Sequence, residues 1–203
     1  MKISDYMDSQ LSHPRGIIGN ICCYLMNIAN KQLYLGVRDS LTLNKDSHVL
    51  EIGYGNGHLI KLLYQKFACK ISGIDISEDI KKVASRRNKK GVAQNNIQLE
   101  IGDCCHLHFD DECFDAIVTM NTIYFWRDTK KGLNEIFRTL KTGGVFSNVI
   151  YSKDYMQAAS YSKEIFKFFN PEEIETLAKE IGFKEVKVLS LKHGNAFIIN
   201  CVK

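Results

Sequence analysis

A glycine-rich turn preceded by an acidic residue is the first feature of the sequence that indicates chemistry. The segment HVLEIGYGNGHLI, residues 48–60, places Gly53, Gly55 and Gly57 directly after an apolar run. Such turns bring the backbone close to a nucleotide. The dinucleotide pattern G-x-G-x-x-G is not met, because His58 stands at its third glycine position. The phosphate-binding pattern G-x-x-x-x-G-K-[S/T] is absent from the sequence.

Glu51, two residues before the first glycine, indicates which kind of nucleotide-containing ligand the turn can bind. A carboxylate at this position would repel a pyrophosphate, whereas it suits a ligand with an ammonium or sulfonium group. Asp75 follows Glu51 by 24 positions, where such folds place an acid that binds ribose hydroxyls. Asp103 follows the next strand-like segment and can accept a hydrogen bond from an adenine amino group. Together the three acids predict a positively charged ligand that contains adenosine.

Predicted strands and helices alternate along the chain from residue 47 onward, and these elements must position the three acids. The predicted strands are Ser47–Ile52, Lys70–Asp75, Ile97–Ile101, Phe114–Met120 and Val145–Ile150. The predicted helices are Leu59–Phe67, Glu78–Lys90 and Thr129–Leu140. This alternation predicts a parallel sheet with right-handed crossovers and a ligand beyond the carboxyl ends of its strands.

The two ends of the chain show different patterns. Asn170 and Pro171 predict the start of a helix that ends at Gly182. The runs KEVKVLSL and NAFIINCVK, joined around His193–Gly194, predict an antiparallel hairpin at one edge of the sheet. The N-terminal segment 1–45, called the head below, is predicted to be helical between Ile17 and Leu43. We expect it to form either a lid over the ligand or a cover for the sheet.

Composition limits the class of protein and its partners. The 203 residues are 45% hydrophobic and 25% charged, as in ordinary globular domains, and the net charge of +4 is too small to predict a nucleic-acid partner. No apolar run approaches the roughly 20 residues of a membrane span, so no membrane association is expected. Seven cysteines, an odd number without an export signal, predict free thiols and a cytoplasmic location.

Several stretches carry a resemblance to a known family. They are VLEIGYGNG at 49–57, GIDIS at 73–77, GDCCHLHFDDECFD at 102–115 and LKTGG at 140–144. With them the sequence resembles the class I S-adenosylmethionine-dependent methyltransferases. It is also similar to a group of short bacterial methyltransferases with a Q-x-x-x-P-x-G-x-x-G…M-N-x-x-N head and an N-T-I-Y-F-W stretch. The corresponding residues here are Gln10, Pro14, Gly16, Gly19, Met26, Asn27, Asn30 and 121–126.

The resemblance implies an α/β fold in which a Rossmann-like, seven-stranded, mostly parallel sheet carries a C-terminal antiparallel hairpin and an N-terminal helical lid. It also implies a single domain over residues 1–203. Within it, residues 1–45 would form the lid and 46–150 the cofactor-binding core. Residues 151–203 would form the acceptor side and the C-terminal helix and hairpin.

The resemblance also assigns S-adenosylmethionine as cofactor and names its contacts. These would be Glu51, Gly53, Tyr54, Gly55, Gly57, Asp75, Ile76, Asp103, Cys104 and Asn121. Glu51 would bind the amino group and Asp75 the ribose, while Ile76 would pack on the adenine. Asp103 and the backbone of Cys104 would read the adenine edge. Asn121 would face the reactive methyl group.

The expected function is methyl transfer to a small molecule. Two alternatives stay open: an acceptor that is a peptide or RNA, and a protein that binds the cofactor without catalysis. Because the sulfonium leaves readily, alignment can supply much of the catalysis, and the sequence identifies no catalytic base. The candidates for that role are Asn121, Tyr124 and His13. The candidates for acceptor binding are Met26, Asn27, Tyr124 and Trp126, with aromatic packing as the alternative for the last two.

The segment CCHLH at 104–108 raises the question of a metal site. Structural zinc sites usually pair their ligands as C-x-x-C or H-x-x-x-H, and this segment does neither. Adjacent cysteines also tend to point in different directions. The sequence therefore predicts no metal.

Overall fold

The computed structural model describes residues 24–203, and in this range seven strands form one sheet. The strands are β1 His48–Ile52, β2 Lys70–Asp75, β3 Ile97–Ile101, β4 Phe114–Met120, β5 Leu140–Tyr151, β6 Glu185–Leu191 and β7 Ala196–Val202. Their spatial order is β3-β2-β1-β4-β5-β7-β6. The first five strands run parallel, and β7 pairs antiparallel with both β5 and β6. The predicted fold class is confirmed, including the C-terminal hairpin.

The strand order reverses at β1, which pairs with β2 on one side and with β4 on the other. The chain therefore leaves β1 in one direction and returns to its opposite side, which opens a crevice beyond the carboxyl ends of the two strands. The apolar runs that predicted these strands are buried on both faces, as Val49, Leu50, Ile117 and Val118 illustrate.

Helices cover both faces of this sheet. They are α1 Lys31–Ser40, α2 His58–Phe67, α3 Glu78–Arg87, α4 Lys89–Ala93, α5 Thr129–Thr139, α6 Lys153–Ala158 and α7 Pro171–Ile181. Residues 24–29 are helical as well. As predicted, α7 begins at Pro171, and the Asn170 N–H donates to the Glu173 carboxylate at 2.7 Å. No helix within residues 24–203 combines the length and the apolar character that crossing a bilayer requires.

Three elements differ from the sequence prediction. The helix predicted over Glu78–Lys90 is two helices that meet at Asn88, whose side-chain amide donates to the backbone oxygens of Gly57 and Ala84. The last parallel strand begins at Leu140, because this residue pairs with Phe114 before a register shift. Helix α6 was not predicted.

The head of the chain covers the sheet and also approaches the crevice. Leu33 and Val37 of α1 are fully buried, and a Cβ placed on Gly36 would lie 3.0 Å from Ile198 Cδ1 of β7. The predicted cover is therefore present over the antiparallel half of the sheet. The part of the predicted lid before residue 24 lies outside the described residues.

The loop after β3 is held to α5 by one guanidinium group. Arg138 donates from Nη1 to the Phe109 carbonyl at 2.8 Å and from Nη2 to the Leu107 carbonyl at 2.9 Å. Glu135 accepts from Arg138 Nε and also from the Leu107 N–H. Because this loop begins with Asp103, Arg138 fixes one wall of the crevice.

We expect Arg138→Met to destabilise the protein by about 2 kcal/mol, because two backbone carbonyls lose a charged donor. Urea unfolding measures the loss. Arg38→Met is the matched control, since Arg38 bonds only its exposed neighbour Asp39 through its side chain and its removal should leave the midpoint unchanged. Equal midpoints for the wild type and Arg138→Met would contradict this account of the loop.

Candidate active site

A cavity of about 340 Å³ lies in the crevice beyond the parallel strands. Its walls come from the turn after β1, the ends of β2, β3 and β4, the helical segment 24–34 and residues 151–166. Nine of the ten predicted cofactor residues line it: Glu51, Gly53, Tyr54, Gly55, Asp75, Ile76, Asp103, Cys104 and Asn121. All four predicted acceptor residues, Met26, Asn27, Tyr124 and Trp126, line it as well. His13 lies outside the described residues.

The three glycines of the turn meet different requirements. All have positive φ, between 50° and 71°. A Cβ on Gly53 would lie 2.3 Å from Thr122 Cγ2, whereas a Cβ on Gly55 would meet nothing within 4 Å and would point into open space. Gly57 is the one predicted cofactor residue that does not line the cavity. A Cβ there would lie 2.5 Å from Asn88 Nδ2, so Gly57 allows close packing against α3.

Asp75 joins the glycine turn to the end of β2. Its Oδ2 accepts the Gly55 N–H at 2.9 Å, and its Oδ1 accepts the Ser77 N–H at 3.0 Å. These bonds fix the orientation of the carboxylate at the cavity wall. The next residue, Ile76, is 50% exposed and presents an apolar surface to the same cavity. A carboxylate beside an exposed apolar side chain suits a ribose attached to a flat, apolar ring.

Glu51 lies at the bottom of the turn and is only 3% exposed. Burial raises the pKa of its carboxyl well above the usual range, and the negative charge of Asp75 raises this pKa further. Within residues 24–203 its Oε2 finds no hydrogen-bond partner. A buried carboxyl oxygen without a donor is costly, and an ammonium group in the cavity would supply both a donor and a counter-charge. The site therefore fits a ligand such as S-adenosylmethionine.

Asn121 shows a second unsatisfied group at the cavity wall. Its φ of 57° lies in the left-handed region, which is rare for residues other than glycine. The backbone is held there because its N–H donates to the Val149 carbonyl at 2.9 Å. Its Nδ2 is buried and has no hydrogen-bond partner in the described part of the chain. A strained backbone with an unused donor is typical of residues that contact ligands.

The Tyr124 hydroxyl is buried and hydrogen-bonded to the backbone of Tyr151. It accepts the Tyr151 N–H at 2.5 Å, and burial raises the pKa of the phenol well above its usual value. The phenol is therefore protonated at neutral pH, which argues against a role as a proton acceptor. Trp126 donates from Nε1 to Thr122 Oγ1 at 3.2 Å, so its ring is fixed against the turn after β4.

Four aromatic or flexible apolar side chains were missed by the sequence analysis. Tyr151, Met156, Tyr161 and Phe166 line the cavity, and none of them was among the predicted site residues. The Phe166 ring lies 4.8 Å from Phe125 and 5.1 Å from Tyr161 between centroids. The signal was the aromatic density of YSKDYMQAASYSKEIFKFF, residues 151–169.

Lys192 connects the hairpin turn to the helical head. Its Nζ donates to the Ala29 carbonyl at 2.8 Å and to the Tyr151 hydroxyl at 2.7 Å. That hydroxyl donates to Asn30 Oδ1 at 2.6 Å, and burial raises the pKa of Tyr151 to about 12. These bonds fix the segment that carries Met26 and Asn27 against the sheet.

The residues after β3 lie closer together than the sequence suggested. One ligand atom from each of Asp103, Cys104 and Cys105 lies within 4.8 Å of the other two. A turn, closed by the His106 N–H donating to the Asp103 carbonyl at 3.0 Å, brings the two adjacent thiols together. The expectation that their side chains diverge was wrong.

Comparisons with known sequences point to one class of enzyme. The family model described as a methyltransferase domain matches residues 49–144. The uncharacterized methyltransferase YdaC of Bacillus subtilis is 27% identical over 169 residues, which cover 83% of this chain and 88% of that protein. A demethylmenaquinone methyltransferase of Bacteroides fragilis is 26% identical over 188 residues, with coverages of 78% and 76%.

Solved structures share the fold. A proposed methyltransferase in complex with the Haloferax volcanii methyltransferase activator Trm112 superposes with a TM-score of 0.81, 16% identity and 99% coverage of both chains. Phosphoethanolamine N-methyltransferase 2 of Haemonchus contortus, in complex with S-adenosylmethionine, has a TM-score of 0.71 and 20% identity. That match covers 85% of this chain and 52% of the other.

The raised pKa of Glu51 predicts a pH-dependent stability of the free protein. The fold favours the protonated carboxyl, so its contribution is present at low pH and is lost as pH rises through the raised pKa. Glutamine cannot ionise. We therefore expect Glu51→Gln to become more stable relative to the wild type between about pH 5 and about pH 9, measured by urea unfolding.

Glu164→Gln is the matched control because Glu164 is exposed. Its stability difference from the wild type should stay constant over the same range. A constant difference for Glu51→Gln would show that the fold does not favour the protonated carboxyl.

Lys192→Met should loosen the helical head without affecting the sheet. We expect amide hydrogen exchange of residues 24–34 to accelerate by roughly fivefold, as the loss of about 1 kcal/mol of hydrogen bonding implies. Mass spectrometry of the exchanged peptides measures this rate. Lys187→Met, an exposed lysine of β6, is the control. Unchanged exchange in Lys192→Met would mean that other contacts hold the head in place.

Proposed function

Because residues 49–144 match a methyltransferase-domain family model, we propose that the chain is a class I S-adenosylmethionine-dependent methyltransferase that transfers the methyl group of that cofactor to a small molecule. The observation that carries the proposal is the cavity itself. Its floor is the turn with Glu51, and its outer wall consists of aromatic side chains and residues of the helical head. S-adenosylmethionine supplies an electrophilic methyl group on a sulfonium that leaves readily. The chain has only to bind and align the two reactants.

The cofactor half of the site uses residues of the core at 46–150. Glu51 binds the amino group, and Asp75 accepts hydrogen bonds from the ribose. Ile76 packs on one face of the adenine, and Asp103 with the backbone of Cys104 reads its edge. The amide of Asn121, with its unused Nδ2 donor, faces the methyl region.

The acceptor half uses the head and the segment after β5. Met26 and Asn27 approach from the helical head, while Tyr124 and Trp126 form the opposite wall. The relative from Bacteroides fragilis is named for demethylmenaquinone and the Haemonchus contortus structure for phosphoethanolamine. Both names describe small acceptors, and this supports the same kind of acceptor here.

A macromolecular acceptor is the second candidate. The basic run KKVASRRNKK at 81–90 favours it. Against it, the aromatic wall lies inside a cavity of small volume. For the location of the protein we propose the cytoplasm, supported by the five unpaired cysteines among residues 24–203.

The test supplies S-adenosylmethionine with a labelled methyl group together with a heat-treated bacterial extract. After incubation, small molecules are separated from proteins and nucleic acids, and we expect the label among the small molecules. Asp75→Asn should lower the transfer at least about tenfold, because the amide replaces an acceptor of hydrogen bonds by a donor. Asp79→Asn, exposed on α3, is the matched control.

Each other outcome overturns a defined part of the proposal. Label in the macromolecular fraction would favour a peptide or RNA acceptor. No label in any fraction, with S-adenosylhomocysteine binding intact by calorimetry, would favour a binding protein without catalysis. Equal transfer by Asp75→Asn and the wild type would remove Asp75 from the cofactor site.

A further inference from the structure

The wall of the cavity at Asp103 contains two thiols that the proposed reaction does not use. The side chain of Cys104 hydrogen-bonds those of both Cys105 and Asp103. The Cys105 N–H donates to Asp103 Oδ1 at 2.9 Å, and Cys105 Sγ donates to the Asp128 carbonyl at 3.3 Å. Cys104 lines the cavity, and Cys105 lies directly behind it at 3% exposure.

We propose that Asp103, Cys104 and Cys105 form a binding site for a soft divalent cation, Zn²⁺ in the cell. A tetrahedral zinc ion with Zn–S bonds of about 2.3 Å has sulfur ligands about 3.8 Å apart. The three ligand atoms lie within 4.8 Å of one another, so each has to move by less than about 1 Å to reach this geometry. Two sulfurs and one carboxylate oxygen suit zinc and disfavour magnesium or calcium.

Burial raises the pKa of the Cys104 thiol well above its usual value, so a bound ion has to displace a tightly held proton. A Cβ placed on Gly132 would lie 3.4 Å from Cys104 Sγ, which places this sulfur against the first turns of α5. The N-terminal end of a helix carries a partial positive charge that stabilises a thiolate. On coordination each thiol gives its proton to solvent and a sulfur–metal bond forms. Asp103 and Cys104 line the cavity, which provides the entry path.

The position of the site has a consequence for the cofactor. Asp103 is the residue that we propose to read the adenine edge, and one carboxylate cannot serve both ligands fully. Bound metal and bound cofactor should therefore weaken each other by the same factor, as linkage requires. This consequence rests on the proposed function, whereas the metal site does not.

The experiment titrates Cd²⁺, a spectroscopic substitute for Zn²⁺, into the reduced full-length chain and follows the thiolate-to-metal charge-transfer absorption. Cys22 and Cys23 form another adjacent pair, outside the described residues, so the parent carries Cys22→Ser and Cys23→Ser. We expect one Cd²⁺ per chain and at least about tenfold weaker binding in Cys104→Ser and in Cys105→Ser. Cys69→Ser, a buried cysteine between α2 and β2, is the matched control and should bind as the parent does.

A second series repeats the titration with saturating S-adenosylhomocysteine, and we expect the Cd²⁺ affinity to fall. Circular dichroism checks that each variant is folded, and Cys105→Ser decides the question if Cys104→Ser does not fold. Unchanged Cd²⁺ affinity in Cys105→Ser would overturn the site. If S-adenosylhomocysteine binds but leaves the Cd²⁺ affinity unchanged, the shared carboxylate is refuted. If S-adenosylhomocysteine does not bind the parent, the proposed function fails while the cysteine variants still decide the metal site.

Discussion

The burial of the Glu51 carboxyl is the constraint on which the rest of the site depends. The Glu51 carboxyl is 3% exposed and one of its oxygens has no hydrogen-bond partner in the described structure, so the free protein favours its neutral form, and ionisation requires a donor or a cation in the cavity. The glycine turn above it leaves space for such a group, and Asp75 holds that turn through the Gly55 N–H. Because Asp75 lies near Glu51, a bound ammonium group would favour the ionised form of the Glu51 carboxyl, whereas a pyrophosphate would add further negative charge to the crevice.

The parallel core was predictable from the sequence because the apolar run of each strand matches its buried position in the sheet. Strands β2, β3 and β4 have the predicted bounds, since buried parallel strands are continuous apolar runs with polar residues at both ends. The acids that follow these strands also came together, because parallel strands place their carboxyl ends along one edge of the sheet. For this reason most of the predicted cofactor residues line one cavity.

The features that were missed depend either on contacts between distant residues or on a local turn conformation. The helix break at Asn88 follows from hydrogen bonds to Gly57, which lies 31 positions earlier. The convergence of Cys104 and Cys105 follows from one turn conformation that spacing rules do not capture. Part of the aromatic wall of the cavity comes from residues 151–166, where no periodic pattern indicated how the chain returns over the cavity. Sequence therefore predicted the floor of the site better than its outer wall.

The contact between Lys192 and Ala29 spans 163 positions of the chain, and this has a consequence for biosynthesis. During translation the helical head leaves the ribosome long before the β6–β7 turn has been made. The central strands can pair in the meantime, but the outer wall of the cavity has no anchor until the hairpin arrives. Contacts of such long sequence separation also slow folding. A nascent chain therefore lacks the contact between Lys192 and the helical head for most of its synthesis, and the complete cavity is among the last features that it acquires.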